Sequence, residues 1–100
     1  NQFVALTSTN AAKIFGLYPR KGALVPGADA DIVIWDPDKK VKYGVAHSQH
    51  RTDYNLFEGW EVVGMPEKVF LRGKLIVDGD AWLGAPGQGQ FLKRGVGEVL

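Results

Sequence analysis

The sequence of 100 residues contains no cysteine. Disulfide bridges, thiolate metal ligands and cysteine nucleophiles are therefore excluded, and the fold must be held by packing or by a partner. An excess of charge of one sign is also lacking, because 12 basic and 11 acidic residues leave a formal charge of +1. This balance gives no indication of a nucleic-acid-binding patch or of a polybasic membrane anchor.

Long hydrophobic runs are absent as well. No apolar run approaches the roughly 20 residues that span a bilayer, and residues 1–4 lack the features of a signal peptide. We therefore expect a cytoplasmic protein that binds neither membrane nor nucleic acid. The apolar segment from Phe3 to Leu6 has no N-cap residue ahead of it, which is typical of a helix interrupted in its middle. This pattern predicts that the chain is the tail of a longer protein.

The chain is organised around the stretch from Gly27 to Pro37, which predicts a strand with a turn on each side. Pro26-Gly27 is a turn signal, and Ile32 to Trp35 is an apolar run rich in β-branched residues. Asp36-Pro37 then closes the run. The pattern predicts one buried strand bracketed by turns.

Helical patterns precede this strand. Phe3 to Leu6 predicts the end of a helix that Thr7-Ser8-Thr9 breaks, and Asn10 is then the N-cap of a second helix over residues 11–15. Gly16 stands where a left-handed C′ residue belongs. Leu24-Val25 predicts a very short strand before the Pro26-Gly27 turn.

Hairpin patterns follow the strand. Residues 39–43 predict an edge strand, and residues 44–59 predict a long loop without regular period. Further strands are predicted over 60–64, 68–71 and 74–77, separated by a turn at 65–67 and a two-residue turn at Arg72-Gly73, and ended by residues 78–80. Together these form an antiparallel meander in a sheet of four or more strands. Residues 81–97 are rich in glycine and proline, which predicts an irregular tail anchored by Phe91 and Leu92.

Two sets of side chains suggest chemistry and also have simpler explanations. His47, His50 and Asp53 are of residue types that bind metal ions, and on a helix the two histidines would share one face. Because their segment does not predict a helix, we favour loop packing or exposed histidines over a metal site. Asp29, Asp31 and Asp36 resemble a carboxylate cluster. We favour acceptors of backbone N–H groups, as is usual at turns and strand ends, over catalysis.

The remaining candidates are also weak. Residues 87–90 (Gly-Gln-Gly-Gln) lack the strand and helix that flank a phosphate-binding loop. Ser8 and Ser48 lack a nucleophile elbow, and Arg72 is most simply a solvated turn residue. The aromatic residues beside the strands could line a pocket, but we favour a place in the core. They are Trp35, Trp60, Trp82, Phe57 and Phe91. The residues alone therefore predict a small mixed domain without a self-contained active site.

Two blocks resemble a known family. Residues 8–17 (Ser-Thr-Asn-Ala-Ala-Lys-Ile-Phe-Gly-Leu), Lys21-Gly22 and residues 26–37 resemble the C-terminal signature of the amidohydrolase superfamily. Residues 53–59 (Asp-Tyr-Asn-Leu-Phe-Glu-Gly), together with residues 63–66, 71–74 and 86–94, are similar to its dihydropyrimidinase and D-hydantoinase branch. The resemblance covers almost the whole chain.

The resemblance implies a fragment of a composite α/β protein, with terminal helices of a (β/α)8 barrel followed by C-terminal strands of a β-sandwich. Residues 1–22 would end the barrel domain, residues 23–80 would supply sandwich strands, and residues 81–100 would be a glycine-rich tail in subunit contact. The parent would be a homotetramer that opens small cyclic amide substrates. Two zinc ions, bridged by a carboxylated lysine, would lie outside this segment, so we assign it no catalytic, cofactor-binding or metal residue.

Two other functions are compatible with the sequence. A non-catalytic scaffold of the collapsin response mediator type would keep the fold and lose the metal ligands, although the short tail after Arg94 disfavours it. An independent small β domain that binds a partner would have to fold alone. In the preferred interpretation the partner of this segment is the remainder of its own chain.

Overall fold

The computed structural model describes residues 1–48 and 50–100. They form two compact units, one of Asn1–Asp31 with Pro86–Leu100 and one of Ile32–Ala85. None of the helices found in these residues is long and apolar enough to cross a membrane.

The first unit begins with a continuous helical run. It consists of α1 (Gln2–Val4), a π-helical segment (Ala5–Thr9) and α2 (Asn10–Ile14). The predicted break at Thr7-Ser8-Thr9 is therefore wrong, because the wider π turn carries the helix through and the Thr7 hydroxyl donates to the Phe3 carbonyl at 2.7 Å. Asn10 is not an N-cap either, because its backbone is helical.

The end of α2 agrees with the sequence. Gly16 has φ +66°, and its N–H donates to the Lys13 carbonyl at 3.0 Å. The Leu17 N–H donates to the Ala12 carbonyl at 2.8 Å, which completes a Schellman motif. The predicted left-handed C′ residue is confirmed.

The loop after the helix contains one predicted feature and lacks another. The Ala28 N–H donates to the Val25 carbonyl at 3.1 Å and Gly27 has φ +93°, so the Pro26-Gly27 turn is confirmed. The strand predicted at Leu24-Val25 is wrong, since these residues are irregular and Val25 supplies the carbonyl of the turn.

The second unit is a four-stranded antiparallel sheet in the order β1-β2-β3-β4. Consecutive strands pair as in the predicted meander, but the strands predicted over 60–64 and 68–71 are one continuous strand. The strands are β1 (Ile32–Lys42), β2 (Glu61–Leu71), β3 (Lys74–Asp78) and β4 (Ala81–Trp82). Arg72 and Gly73 have φ +47° and +78°, as a two-residue type I′ hairpin requires. Ala81 and Trp82 were expected in the irregular tail, but Trp82 pairs with Val77 across a hairpin.

β1 and β2 are each longer than the sequence predicts. Asp36-Pro37 does not close β1 and residues 65–67 are not a turn, because Trp35 pairs with Pro66 and Asp36 with Met65. The irregularity appears instead as register shifts, one between Ile34 and Trp35 and one between Asp36 and Lys40. β-bulges thus replace the predicted strand ends.

Both faces of the sheet are apolar. Opposite residues share a face, so Val33, Val69 and Val77 lie together, while Ile32 and its partners Phe70 and Leu75 occupy the other face. An antiparallel sheet with one solvated face would alternate apolar and polar residues. The prediction that Ile32 to Trp35 is buried is wrong for this chain, because the side chains of residues 33–35 are exposed.

Residues 83–100 are described throughout and contain no helix or strand, as predicted. Phe91 is not an anchor, because it is 94% exposed. Leu92 is partly buried. The tail is held instead through the backbone of Gly95 and Glu98.

Candidate functional site

The loop between β1 and β2 is closed at its base by backbone hydrogen bonds. The Tyr43 N–H donates to the Trp60 carbonyl at 2.7 Å, and the Gly59 N–H donates to the Tyr43 carbonyl at 2.8 Å. The described part of the predicted irregular stretch contains one short 3-10 helix, Val45–His47. The loop is therefore tied to the sheet at both ends.

The Glu58 carboxylate fixes the start of the 3-10 helix. Its Oε2 accepts a hydrogen bond from the Val45 N–H at 2.9 Å. The carboxylate fits because Gly44 has no side chain: a Cβ on Gly44 would lie 2.6 Å from Oε1 of Glu58. The hydrogen bond from Val45 to Glu58 therefore depends on glycine at position 44.

Asn55 joins the two halves of the loop. Its Nδ2 donates to Oγ of Ser48 at 3.2 Å, and its Oδ1 accepts from the Phe57 N–H at 2.9 Å. Oγ of Ser48 in turn donates to the Gly44 carbonyl at 3.1 Å. These contacts of Asn55 were not predicted from the sequence, although an Asn side chain that accepts from the backbone N–H two residues later is a recognisable turn signal.

A groove of about 960 Å³ lies between this loop and one face of the sheet. Gly64, with φ +94°, allows Trp35 to lie close, because a Cβ there would be 3.0 Å from the indole Nε1. Lys39 and Asp80 form an ion pair of 3.7 Å at the lining. The principal apolar lining residues are Trp35, Tyr43, Tyr54, Phe57, Met65 and Val69.

The apolar side chains of the loop are exposed. Leu56 is 82% exposed and Trp60 is 61% exposed, with the Trp60 ring edge-to-face against Phe57 at 5.3 Å. Contiguous apolar surface on a loop that polar contacts hold in place is typical of an interaction site. The arrangement is suited to binding an apolar surface.

The aromatic residues are not in a core, contrary to the interpretation that we favoured. The three tryptophans, Phe57 and Phe91 are all exposed. Only Trp35 and Phe57 of this group line the groove. Within residues 32–48 and 50–85, the structure contains no second layer of strands or helices against which the tryptophans and Phe57 could pack.

The histidine segment shows no metal-binding arrangement in the described part of the chain. His47 ends the 3-10 helix, Gln49 lies outside the described residues, and Nδ1 of His50 is hydrogen-bonded to Oγ1 of Thr52. Among the side chains that the structure describes, no group of three or more His, Cys, Asp or Glu could hold a metal ion. The side chain of His47 lies outside the described part, so the predicted set of His47, His50 and Asp53 stays a prediction.

The predicted carboxylate cluster divides into two different arrangements. Oδ1 of Asp36 accepts hydrogen bonds from the backbone N–H groups of Asp38 and Lys39 at 2.9 and 3.2 Å, as predicted for a turn carboxylate. Asp29 and Asp31 instead pair with the Lys21 ammonium, which lies 2.9 Å from Oδ2 of Asp29.

The ion pairs of this cluster shift the pKa values of Lys21 and Asp29. Partial burial lowers the pKa of Lys21, but hydrogen bonds to Asp31 and Asp29 outweigh it, so that the net pKa is raised. The hydrogen bond from Lys21 lowers the pKa of Asp29, with a further contribution from Arg20 at 3.1 Å. The cluster joins the loop after the helix to the residues that lead into β1, and its charges are paired with one another.

The other candidates lie in separate elements of the chain. Ser8 lies in the π-helical segment, Arg72 in the hairpin turn and Gly87-Gln88-Gly89-Gln90 in the irregular tail. Ser48 lines the groove through its role in the loop. The residues before and after the Gly-Gln-Gly-Gln stretch are irregular, so it lacks the strand and helix of a phosphate-binding loop.

Comparisons with known proteins agree on one family. The model of the amidohydrolase family matches residues 1–76. The D-hydantoinase of Rhizobium radiobacter is 46% identical over 93 residues, which are 93% of this chain and 20% of the relative. The dihydropyrimidinase of Rattus norvegicus is 43% identical over 94 residues, which are 94% of this chain and 18% of the relative. The dihydropyrimidinase-related protein 5 of Mus musculus is 43% identical over 91 residues, or 91% and 16% of the two chains.

The fold is shared with solved structures. The crystal structure of D-hydantoinase from Bacillus sp. AR9 matches with a TM-score of 0.91 and 46% identity, over 97% of this chain and 21% of that chain. This chain spans about a fifth of the length of the curated relatives that it matches.

Proposed function

Because the chain belongs to the amidohydrolase family, we propose that it is part of a hydrolase that opens cyclic amide rings of the hydantoin or dihydropyrimidine type. The observation that carries this proposal is the 46% identity to a D-hydantoinase over 93% of the chain. The TM-score of 0.91 against a D-hydantoinase structure supports it.

In this proposal the segment has a structural role. Residues 1–22 end a barrel domain and residues 23–80 form one layer of a β-sandwich whose other strands come from the remainder of the protein. Two observations support the layer: both faces of the sheet are apolar, and the groove beside residues 43–60 is lined by exposed aromatic side chains. Covering such surface is favourable by about 25 cal/mol per Å².

The residues described here do not fit the two-zinc site that the family resemblance implies. Such a site needs clustered histidines and carboxylates, and no group of three or more occurs among the side chains that the structure describes. We therefore propose that the zinc ligands and the bridging carboxylated lysine lie outside this segment. No reaction step is assigned to residues of this chain.

The glycine-rich residues 81–100 are the proposed subunit contact of a homotetramer. Their apolar side chains support this, because Phe91 is 94% exposed and Val96 is 95% exposed. Removal of residues 84–100 from the intact protein should lower the mass measured by light scattering, and an unchanged tetramer mass would refute the contact. The proposed cytoplasmic location is to be tested by cell fractionation.

The comparisons do not favour the scaffold alternative. Relatives named as hydrolases and a relative named as dihydropyrimidinase-related match this segment with similar identities of 46% and 43%. We propose that catalytic competence depends on residues outside the segment.

The test is to measure zinc per chain by elemental analysis of the intact protein, together with ring opening of hydantoin and dihydrouracil. Close to two zinc ions per chain with turnover is the expected result. A protein purified without chelators that contains no zinc, and that stays inactive after zinc is added, would refute the hydrolase and support the scaffold.

A further inference from the structure

The C-terminal residues 95–98 lie against the end of α2. The Gly95 N–H donates to the Gly16 carbonyl at 2.8 Å, and the Glu98 N–H donates to the Lys13 carbonyl at 3.0 Å. The last carbonyls of a helix have no partner within the helix. The Gly16 carbonyl gains a donor from Gly95, and the Lys13 carbonyl, which already accepts from the Gly16 N–H, gains a second donor from Glu98.

The contact requires glycine on both sides. A Cβ on Gly16 would lie 2.3 Å from the Gly95 carbonyl oxygen, and a Cβ on Gly97 would lie 2.1 Å from the Ile14 carbonyl oxygen. Real Cβ atoms do not approach backbone so closely, so any side chain at these positions would push the two segments apart. Val96, between the two tail glycines, is 95% exposed, and the segment binds through its backbone rather than through this side chain.

Charge complements the hydrogen bonds. The C-terminal end of a helix carries partial negative charge, which favours approaching N–H groups and cations. Lys13 stands in the last turn of α2, with its Nζ 3.7 Å from Oε2 of Glu98 and 5.3 Å from the centre of the Tyr18 ring. The Glu98 and Lys13 side chains are partly exposed, so this ion pair contributes less than the backbone contacts.

We propose that residues 95–98 form a clasp that binds the end of α2 and opens locally while the rest of the fold stays intact. The proposal is independent of the catalytic function and of the proposed subunit contact. Two backbone hydrogen bonds, with little burial of side chains, favour the held state by roughly 30-fold. A difference of this size keeps the tail ordered and leaves release accessible.

The experiment measures amide hydrogen exchange in the intact protein at Gly95 and Glu98. Three variants form a matched set within the tail: Gly97→Ala, Gly95→Ala and Gly89→Ala. A Cβ at position 95 would meet the Gly16 carbonyl oxygen at an ordinary 3.5 Å, and one at position 89 would meet nothing within 4 Å. None of the three glycines has a left-handed backbone, so the set isolates the steric contact at position 97.

The expected result is that Gly97→Ala speeds exchange of the Glu98 amide by roughly 30-fold, while Gly95→Ala and Gly89→Ala change it less than about threefold. Unchanged exchange in β2 shows that the fold is kept. A second variant, Glu98→Pro, removes the donor to Lys13 and should speed exchange of the Gly95 amide. Exchange of the Gly95 and Glu98 amides at the unprotected rate in the unaltered protein would overturn the clasp. Protection of the Gly95 amide that persists in both Gly97→Ala and Glu98→Pro would also overturn it.

Discussion

Gly22 is a position at which a single added methyl group should destabilise the first unit through packing against α2. Its φ is +77°, and a Cβ would lie 2.6 Å from the Cβ of Ala12 and 3.1 Å from the Cα of Thr9. Ala12 is buried and belongs to α2, so it has little room to move. Oγ1 of Thr9 donates to the Gly22 carbonyl at 2.8 Å, which holds the loop against the helix.

Two costs add in Gly22→Ala. A left-handed backbone costs a residue with a Cβ about 1–2 kcal/mol, and overpacking costs about 1–3 kcal/mol, so the sum is about 2–5 kcal/mol. Gly27→Ala is the matched control, because Gly27 has φ +93° and a Cβ there would meet nothing within 4 Å. The control should cost about 1–2 kcal/mol, from the backbone alone.

The assay is native-state hydrogen exchange of the intact protein at the amides of Phe15 and Leu17, which donate to the carbonyls of Ala11 and Ala12. The free energy of opening at these amides should fall further in Gly22→Ala than in Gly27→Ala, by about 1–3 kcal/mol. Equal losses in the two variants would show that packing against the helix does not constrain this loop, and would refute the argument.

Two further predictions concern the loop and the ion cluster. Gly44→Ala should displace the Glu58 carboxylate from the Val45 N–H at a cost of about 0.5–1.5 kcal/mol in local stability, because Gly44 is extended and the effect is steric alone; an unchanged exchange rate of the Val45 amide would contradict it. Lys21→Met should raise the pKa of Asp29, measured by NMR titration of its carboxyl carbon, because Lys21 is the main cause of the lowered value. A lowered pKa in the folded state stabilises the protein above the unfolded-state pKa and ceases to do so as the pH falls through the folded-state value. The Asp29-linked stability lost in the variant should thus be largest above the unfolded-state pKa and shrink in acid, and a loss that does not change with pH would contradict the coupling.

Features set by neighbours in sequence were predicted correctly. Gly16 ends α2 in a Schellman motif, Pro26-Gly27 forms its turn, and Arg72-Gly73 forms a two-residue hairpin. Each depends on the φ that one or two residues can adopt. Such preferences act over a few residues and are visible in the sequence.

Features that depend on strand pairing or on a side-chain hydrogen bond were not predicted. Asp36-Pro37 resembles a strand end, but pairing of Trp35 with Pro66 carries both strands through the irregularity as bulges. Thr7 resembles a helix breaker, but its hydroxyl bonds back to Phe3 within a π turn. In each case a contact formed by the folded chain outweighs a weak local preference.

The candidate site shows the same division. The irregular loop and its apolar residues were evident in the sequence, whereas the contact of Glu58 with Val45 and the bond between Asn55 and Ser48 were not. Both contacts need backbone geometry that no pair of residue names specifies. Family membership was visible in the motifs, because residues 8–17, 26–37 and 53–59 have the order and spacing of the family.

By itself, then, the sequence determined the Pro26-Gly27 and Arg72-Gly73 turns, the helix end, the antiparallel pairing of consecutive strands and the family. Only the tertiary structure decided how long β1 and β2 run, which carboxylates pair with Lys21 and where the tail is held. The reason is physical: φ preferences and apolar patterns are properties of a short segment, whereas register, ion pairing and the contact of Gly97 with the helix end depend on distances between residues far apart in the chain.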